Sequence, residues 1–136
     1  MKNVRKIRLV LVDDHLFFRK SLKDTLKNIN SIEVVGEANN GEEYLKIAAR
    51  INPDVVLMDM KMNKMDGIDA TRISARFYPS VKIIVLTYNK GNEYLKEIIR
   101  AGAKGIIYKE ASIKEIASAV ENVYKGNMFF LNENNM

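Results

Sequence analysis

Five polar side chains in this sequence each follow an apolar run, and together they could hold a cation against a phosphate. Asp59 ends Val55-Val56-Leu57-Met58, Asp13 and Asp14 end Ile7 to Val12, Thr87 ends Val81 to Leu86, and Lys109 ends Gly105-Ile106-Ile107-Tyr108. Short apolar runs of this kind read as strands buried on both faces, so each polar group stands where a strand leaves the core. Carboxylates gathered at one place repel one another and resist ionising unless a cation is present. With no Cys and a single His, the ligands on offer are oxygens, which favour a hard cation. Two or three carboxylates leave room for waters and phosphate oxygens, as Mg²⁺ prefers. Lys109 adds a point positive charge and Thr87 a hydroxyl, both suited to the oxygens of a phosphoryl group in transfer. The chemistry that fits is phosphoryl transfer onto a carboxylate, with Asp59 as the nucleophile. Each residue also has an ordinary reading: a turn or strand-end cap for Asp59 and Thr87, a helix-start signal for Asp13-Asp14, a surface ion-pair partner for Lys109. The agreement of four strand ends on one chemistry is what favours the site.

Five strand-helix units must position these groups. After Ile7–Val12, the spacing of Phe18, Leu22, Leu26 and Ile29 predicts a helix. Ile32 to Gly36 reads as the second strand, and Asn40 with Glu43 as a capping box that opens a second helix to about Arg50. Pro53 enforces a break before the third strand. A third helix is expected from about Gly67, burying Ile73 and Phe77 before Pro79. Val81–Leu86 is the fourth strand, and Asn92 is expected to cap a fourth helix carrying Leu95, Ile98 and Ile99 that stops at Gly102. Ser112 and Glu115 form another capping box, and Ile113, Ile116, Val120 and Val123 give the last helix its buried stripe as far as Gly126. Alternation of this kind argues for an α/β protein with a parallel sheet covered on both sides. Right-handed crossovers then bring all the strand carboxyl ends to one edge, where such sheets collect ligands.

At 136 residues the chain has the length of a single domain. The absence of Cys fits a reducing compartment, and the cytoplasm is the default. The N-terminal apolar stretch is too short and polar for a signal sequence or membrane span. The balance of 22 Lys+Arg against 17 Asp+Glu gives +5, but the basic residues are scattered and interleave with no aromatic motif, so nothing points to direct reading of nucleic acid. His15 reads as a surface residue at a helix start, and Met58, Met60, Met62 and Met65 as packing around a loop. A flavin-binding relative of the same architecture would want a glycine-rich phosphate cradle where Asp13-Asp14 stands. A phosphatase similar to the haloacid dehalogenases would want a second Asp where Lys61 stands.

From about Val4 to Gly126 the chain resembles the receiver domain of two-component response regulators. The matching motifs are Asp13-Asp14, Asp59 followed by Met62 and by Met65-Asp66-Gly67, Thr87, and Lys109. Asp13-Asp14-His15 and Lys109-Glu110 look most like the NarL/FixJ type, in which the receiver joins a C-terminal helix-turn-helix DNA-binding domain. The resemblance implies a flavodoxin-like (CheY-like) (βα)5 three-layer sandwich with strand order 2-1-3-4-5, and Asp59 as phosphoacceptor assisted by Thr87, Lys109 and Asp13. It implies Mg²⁺ held by Asp14, Asp59 and the backbone carbonyl of Lys61, with Asp13 acting through water. It also implies a sensor histidine kinase as partner, a homodimer on phosphorylation, and a switch on the face built by the fourth helix, fifth strand and fifth helix. Residues 127–136, Phe129-Phe130-Leu131 and a polar tail, resemble the start of an interdomain linker, as in an excised rather than a free-standing receiver. Ile106 stands where the family usually carries an aromatic, Tyr88 where it usually carries a small residue, and Asn63 where it usually carries proline. Lys61 and Asn89 occupy positions that tend to tune phosphoryl lifetime in the family.

Overall fold

The apolar runs become strands because both of their faces are covered. In a computed structural model, which describes residues 5–88 and 92–130 (the backbone alone for 92 and 93), the chain runs β1 Ile7–Val12, α1 Leu16–Leu26, β2 Ile32–Ala38, α2 Gly41–Ile51, β3 Val55–Asp59, α3 Gly67–Phe77, β4 Lys82–Thr87, α4 Asn92–Ala101, β5 Gly105–Tyr108, α5 Ile113–Tyr124 and β6 Phe129–Phe130. The strands form one parallel sheet in the order β2-β1-β3-β4-β5-β6. Successive side chains alternate between its faces. Val10, Val12, Val56, Met58 and Ile106 pack with Tyr44, Ala48, Ala70 and Ile98 of α2, α3 and α4. Leu9, Leu11, Leu57, Ile84 and Ile107 pack with Leu22, Leu26, Ile116, Val120 and Val123 of α1 and α5. Helices on both sides make the three layers expected from the alternation.

Register sets the functional edge. Val12 is level with Met58, Asp59 with Leu86, and Thr87 with Tyr108, so the strands step forward gradually from β1 to β5. Backbone bonds continue past the strand ends, from Asp13 N–H to Ala38 C=O (3.1 Å), Met60 N–H to Leu86 C=O (2.9 Å) and Lys109 N–H to Thr87 C=O (3.0 Å). Asp13, Lys109 and Met60, the residue after Asp59, therefore leave the sheet from hydrogen-bonded backbone positions.

Several expectations need correction. The sheet has a sixth strand: past Gly126, Phe129 pairs with Gly105 and Phe130 with Ile106, and Phe129 N–H bonds Lys104 C=O at 3.0 Å. Gly105 permits this approach, since a Cβ there would lie 3.0 Å from the Phe129 carbonyl oxygen. Neither expected anchor of α3 is buried: Phe77 is 64% exposed and Ile73 only half-buried, and the inward residues are Ile68, Ala70, Thr71 and Ser74. On α4, Ile98 is fully buried whereas Ile99 is exposed. At α2 the Asn40 side chain accepts the Glu43 N–H as expected, but Glu43 reaches back to Asn39 N–H (2.9 Å), one residue earlier than a capping box requires. The Ser112–Glu115 box closes fully. Asn92 is the first residue of α4, and its side chain, on which the expected cap depends, lies outside what the structure describes, as does Asn89. Among the described residues no helix is long and apolar enough to cross a membrane.

Candidate functional site

Asp13, Asp14, Asp59, Thr87 and Lys109 come together on the carboxyl edge of the sheet. Asp59 is the last residue of β3, with a side chain only 5% exposed. It is aimed by the turn into α3, where Gly67 packs so closely that a Cβ would lie 2.1 Å from the Asp59 carbonyl oxygen, and Gly67 N–H bonds Met60 C=O at 2.8 Å. Met65 takes a left-handed backbone (φ 59°) and Asp66 caps α3 by accepting the Asp69 N–H.

The Lys109 ammonium stands between two carboxylates, 2.9 Å from Asp13 Oδ2 and 3.4 Å from Asp59 Oδ2. The ammonium is thus the partner of the buried Asp13 Oδ2 and Asp59 Oδ2, while Asp14 Oδ1 is a buried oxygen without a hydrogen-bond donor. The other oxygens are served: Asp13 Oδ1 accepts the His15 N–H at 2.8 Å and Asp14 Oδ2 the Asn63 N–H at 3.1 Å. Thr87 Oγ1 lies 3.6 Å from Met60 Sδ. A pocket of about 330 Å³ opens over Asp59, lined by His15, Met60, Lys61, Thr87, Tyr88 and Lys109.

Electrostatics follow from this crowding. Burial pushes the Asp59 carboxyl up to about 6, Asp13 adds to the rise, and Lys109 and the Lys61 N–H partly offset it. Burial works against the Lys109 charge, but Asp13 and Asp59 more than reverse that and raise its pKa overall. Three carboxylates clustered around one ammonium leave an excess of negative charge, and Asp14 Oδ1 has no donor. A hard divalent cation fits that donor set.

Two residues were underweighted by sequence reasoning. His15 does begin α1 with a 64% exposed side chain, yet its Nδ1 lies 3.1 Å from Asp13 Oδ1 and 3.3 Å from Asp14 Oδ1. Arg19, only 7% exposed, donates to the backbone carbonyls of Asp13 and Ala38, to Asn39 Oδ1 (2.9 Å) and to Glu37 Oε1 (3.0 Å). It ties the acidic turn to the end of β2. Its place three residues before Leu22 puts it on the buried stripe of α1, but that spacing alone does not tell a buried cation from a solvated one. Met58 and Met60 are buried and Met62 and Met65 pack on the same core, as expected of packing residues. Tyr88 is 61% exposed yet lines the pocket, and Ile106 is fully buried beside Phe130.

The family model described as a response regulator receiver domain matches residues 9–121. The transcriptional regulatory protein DegU of Brevibacillus brevis is 35% identical over 127 residues, covering 93% of this chain and 54% of that protein. The response regulator UvrY of Escherichia coli K12 is 40% identical over 127 residues, covering 93% and 58%. The chain thus spans little more than half the length of these relatives. A two-component response regulator of the LuxR family from Aurantimonas sp. SI85-9A1 superposes with a TM-score of 0.88 at 26% identity, covering 95% of this chain and 91% of that one. The strand order, the acidic edge and these matches agree, and the chain belongs to the receiver domains of two-component response regulators.

Proposed function

We propose that Asp59 is the phosphoacceptor of a signalling switch that a sensor histidine kinase charges. The observation that supports this most is the Asp59 carboxylate itself, held at a strand end with Oδ2 paired to Lys109 and its residue lining the same pocket as Thr87. With its carboxyl pushed up to about 6, Asp59 is mostly ionised at neutral pH and is a better nucleophile than an ordinary carboxylate. Its oxygen forms a bond to phosphorus as the phosphohistidine N–P bond breaks, and the electron pair stays on the departing imidazole. Lys109 and Thr87 stand beside Asp59 to take phosphoryl oxygens as charge builds on them. Mg²⁺, held by Asp14, Asp59 and the Lys61 carbonyl with Asp13 acting through water, would neutralise the charge of carboxylate and phosphoryl group together.

Residues 4–126 form the receiver in this reading, and 127–136 begin a linker toward a helix-turn-helix domain that binds DNA and controls transcription. The protein acts in the cytoplasm, switches its α4–β5–α5 face on phosphorylation and pairs with a second copy there. Its own phosphorylation and dephosphorylation at Asp59 make it a switch rather than a turnover enzyme. The test is intact-mass analysis after incubation with acetyl phosphate and Mg²⁺. One added phosphoryl group, absent from Asp59→Asn and from the chelated sample, is expected; an unmodified chain would overturn the reading.

A further inference from the structure

The Lys109 side chain is only 2% exposed, although its ammonium sits at the rim of an open pocket. Three rings cover it. His15 Nδ1 lies 3.5 Å from Nζ, the Phe18 ring centroid 4.5 Å away and the Tyr88 centroid 5.4 Å away. They are not equally anchored: the His15 and Tyr88 side chains are mostly exposed, whereas Phe18 is half-buried and packs on the α1–α5 side of the core. Phe18 is therefore the ring whose place is fixed by packing.

An ammonium on a flexible stem follows its strongest partners. Here those are Asp13 at 2.9 Å and Asp59 at 3.4 Å. A phosphoryl group arriving on Asp59 must displace the second of these, and at that moment only Asp13 and the surrounding rings keep the ammonium from swinging toward water. A ring face attracts the charge through its quadrupole while leaving the N–H donors to other acceptors. A carboxylate in the same place would hold the ammonium but compete with the phosphoryl oxygens.

We propose that Phe18 is a positioning residue for phosphoryl transfer: its ring face holds the Lys109 ammonium at the acceptor while the lysine exchanges Asp59 for the phosphoryl oxygens. This rests on Asp59 being the acceptor. The experiment uses the full chain, with acetyl phosphate as donor and saturating Mg²⁺, and follows the rate of Asp59 labelling by mass. Phe18 is replaced by Leu, by Trp, and, through nonsense suppression, by fluorinated phenylalanines that weaken the ring quadrupole at nearly constant shape. Phe18→Leu is expected to slow labelling roughly tenfold and Phe18→Trp to restore it. The rate should fall stepwise with fluorine number, while the Mg²⁺ concentration for half-maximal rate and the Tm of the fluorinated chains stay constant. A flat fluorine series, or a wild-type rate in Phe18→Leu, on protein that is labelled at Asp59 overturns the role of Phe18 and leaves the acceptor standing. Failure of the unsubstituted chain to label at Asp59 overturns both.

Discussion

Replacing Asp59 by Asn removes a charge that the folded chain disfavours. Burial first, and Asp13 second, push this carboxyl from 3.8 to about 6, and Lys109 only partly offsets them. The side chain is only 5% exposed but lines an open pocket, so solvent screens part of the effect and the full shift sets an upper bound. A carboxyl with a higher pKa folded than unfolded binds its proton more tightly in the fold. Its contribution is therefore fully present below the unfolded value and is lost as pH rises through about 6. At about 1.4 kcal/mol per pKa unit, the loss at neutral pH is at most about 3 kcal/mol. In chelated buffer at about pH 7.5, Asp59→Asn is expected to gain about 2–3 kcal/mol, or roughly 5–10 °C in Tm. At about pH 4, where the native carboxyl already carries its proton, the gain should shrink toward zero. Mg²⁺ should stabilise the unsubstituted chain at neutral pH and narrow the difference. Thermal unfolding followed by circular dichroism across pH, with and without Mg²⁺, measures all three. Equal Tm values at neutral pH, or the same gain at both pH values, would refute the claim that Asp59 is held against its own charge.

Gly67→Ala would drive a methyl group into the Asp59 backbone carbonyl, so a loss of about 3 kcal/mol is expected in denaturant unfolding, with slower labelling of Asp59 in the fraction that folds. Arg19→Met leaves the Asp13 and Ala38 carbonyls and Glu37 without their buried donor, and should cost about 2–4 kcal/mol by the same measurement. Glu37 is held below the usual carboxylate range by its hydrogen bond to Lys23 and, against the cost of burial, by Arg19. That stabilisation is present above the unfolded pKa and lost as pH falls through the folded value, so Arg19→Met should flatten the acid side of the stability profile. Phe130→Ala should cost about 1–2 kcal/mol, since the ring is half-buried, and should speed amide exchange at Phe129.

The fold was legible where one signal dominated. Apolar runs of four to six residues gave β1, β3, β4 and β5 to within a residue of their ends, and the three-and-four spacing gave the buried faces of α5 and of α1 as far as Leu26, the expected Ile29 lying in the turn beyond the helix. β6 was not legible, because two residues carry no periodicity and their pairing depends on a glycine far away in sequence. Phe77 misled because its spacing fits a helix face, whereas α3 lies close enough to its neighbours to accept mainly small side chains such as Ala70 and Ser74. The edge residues were legible because each ends a strand and parallel strands end together. Arg19 was not, since a cation on an apolar stripe is more often solvated than buried, and nothing local names the carbonyls it serves. The ring of His15 leans into the carboxylates for a reason that spacing cannot carry: it depends on the turn linking β1 to α1.

The central claim is that one carboxylate of the three, Asp59, receives the phosphoryl group. Borohydride reduces an aspartyl phosphate to homoserine at the residue that carried it, so reduction after incubation with acetyl phosphate and Mg²⁺, followed by peptide sequencing, locates the acceptor directly. Homoserine at position 59 alone is the expected result. Homoserine at position 13 or 14, or aspartate unchanged at all three, would contradict it.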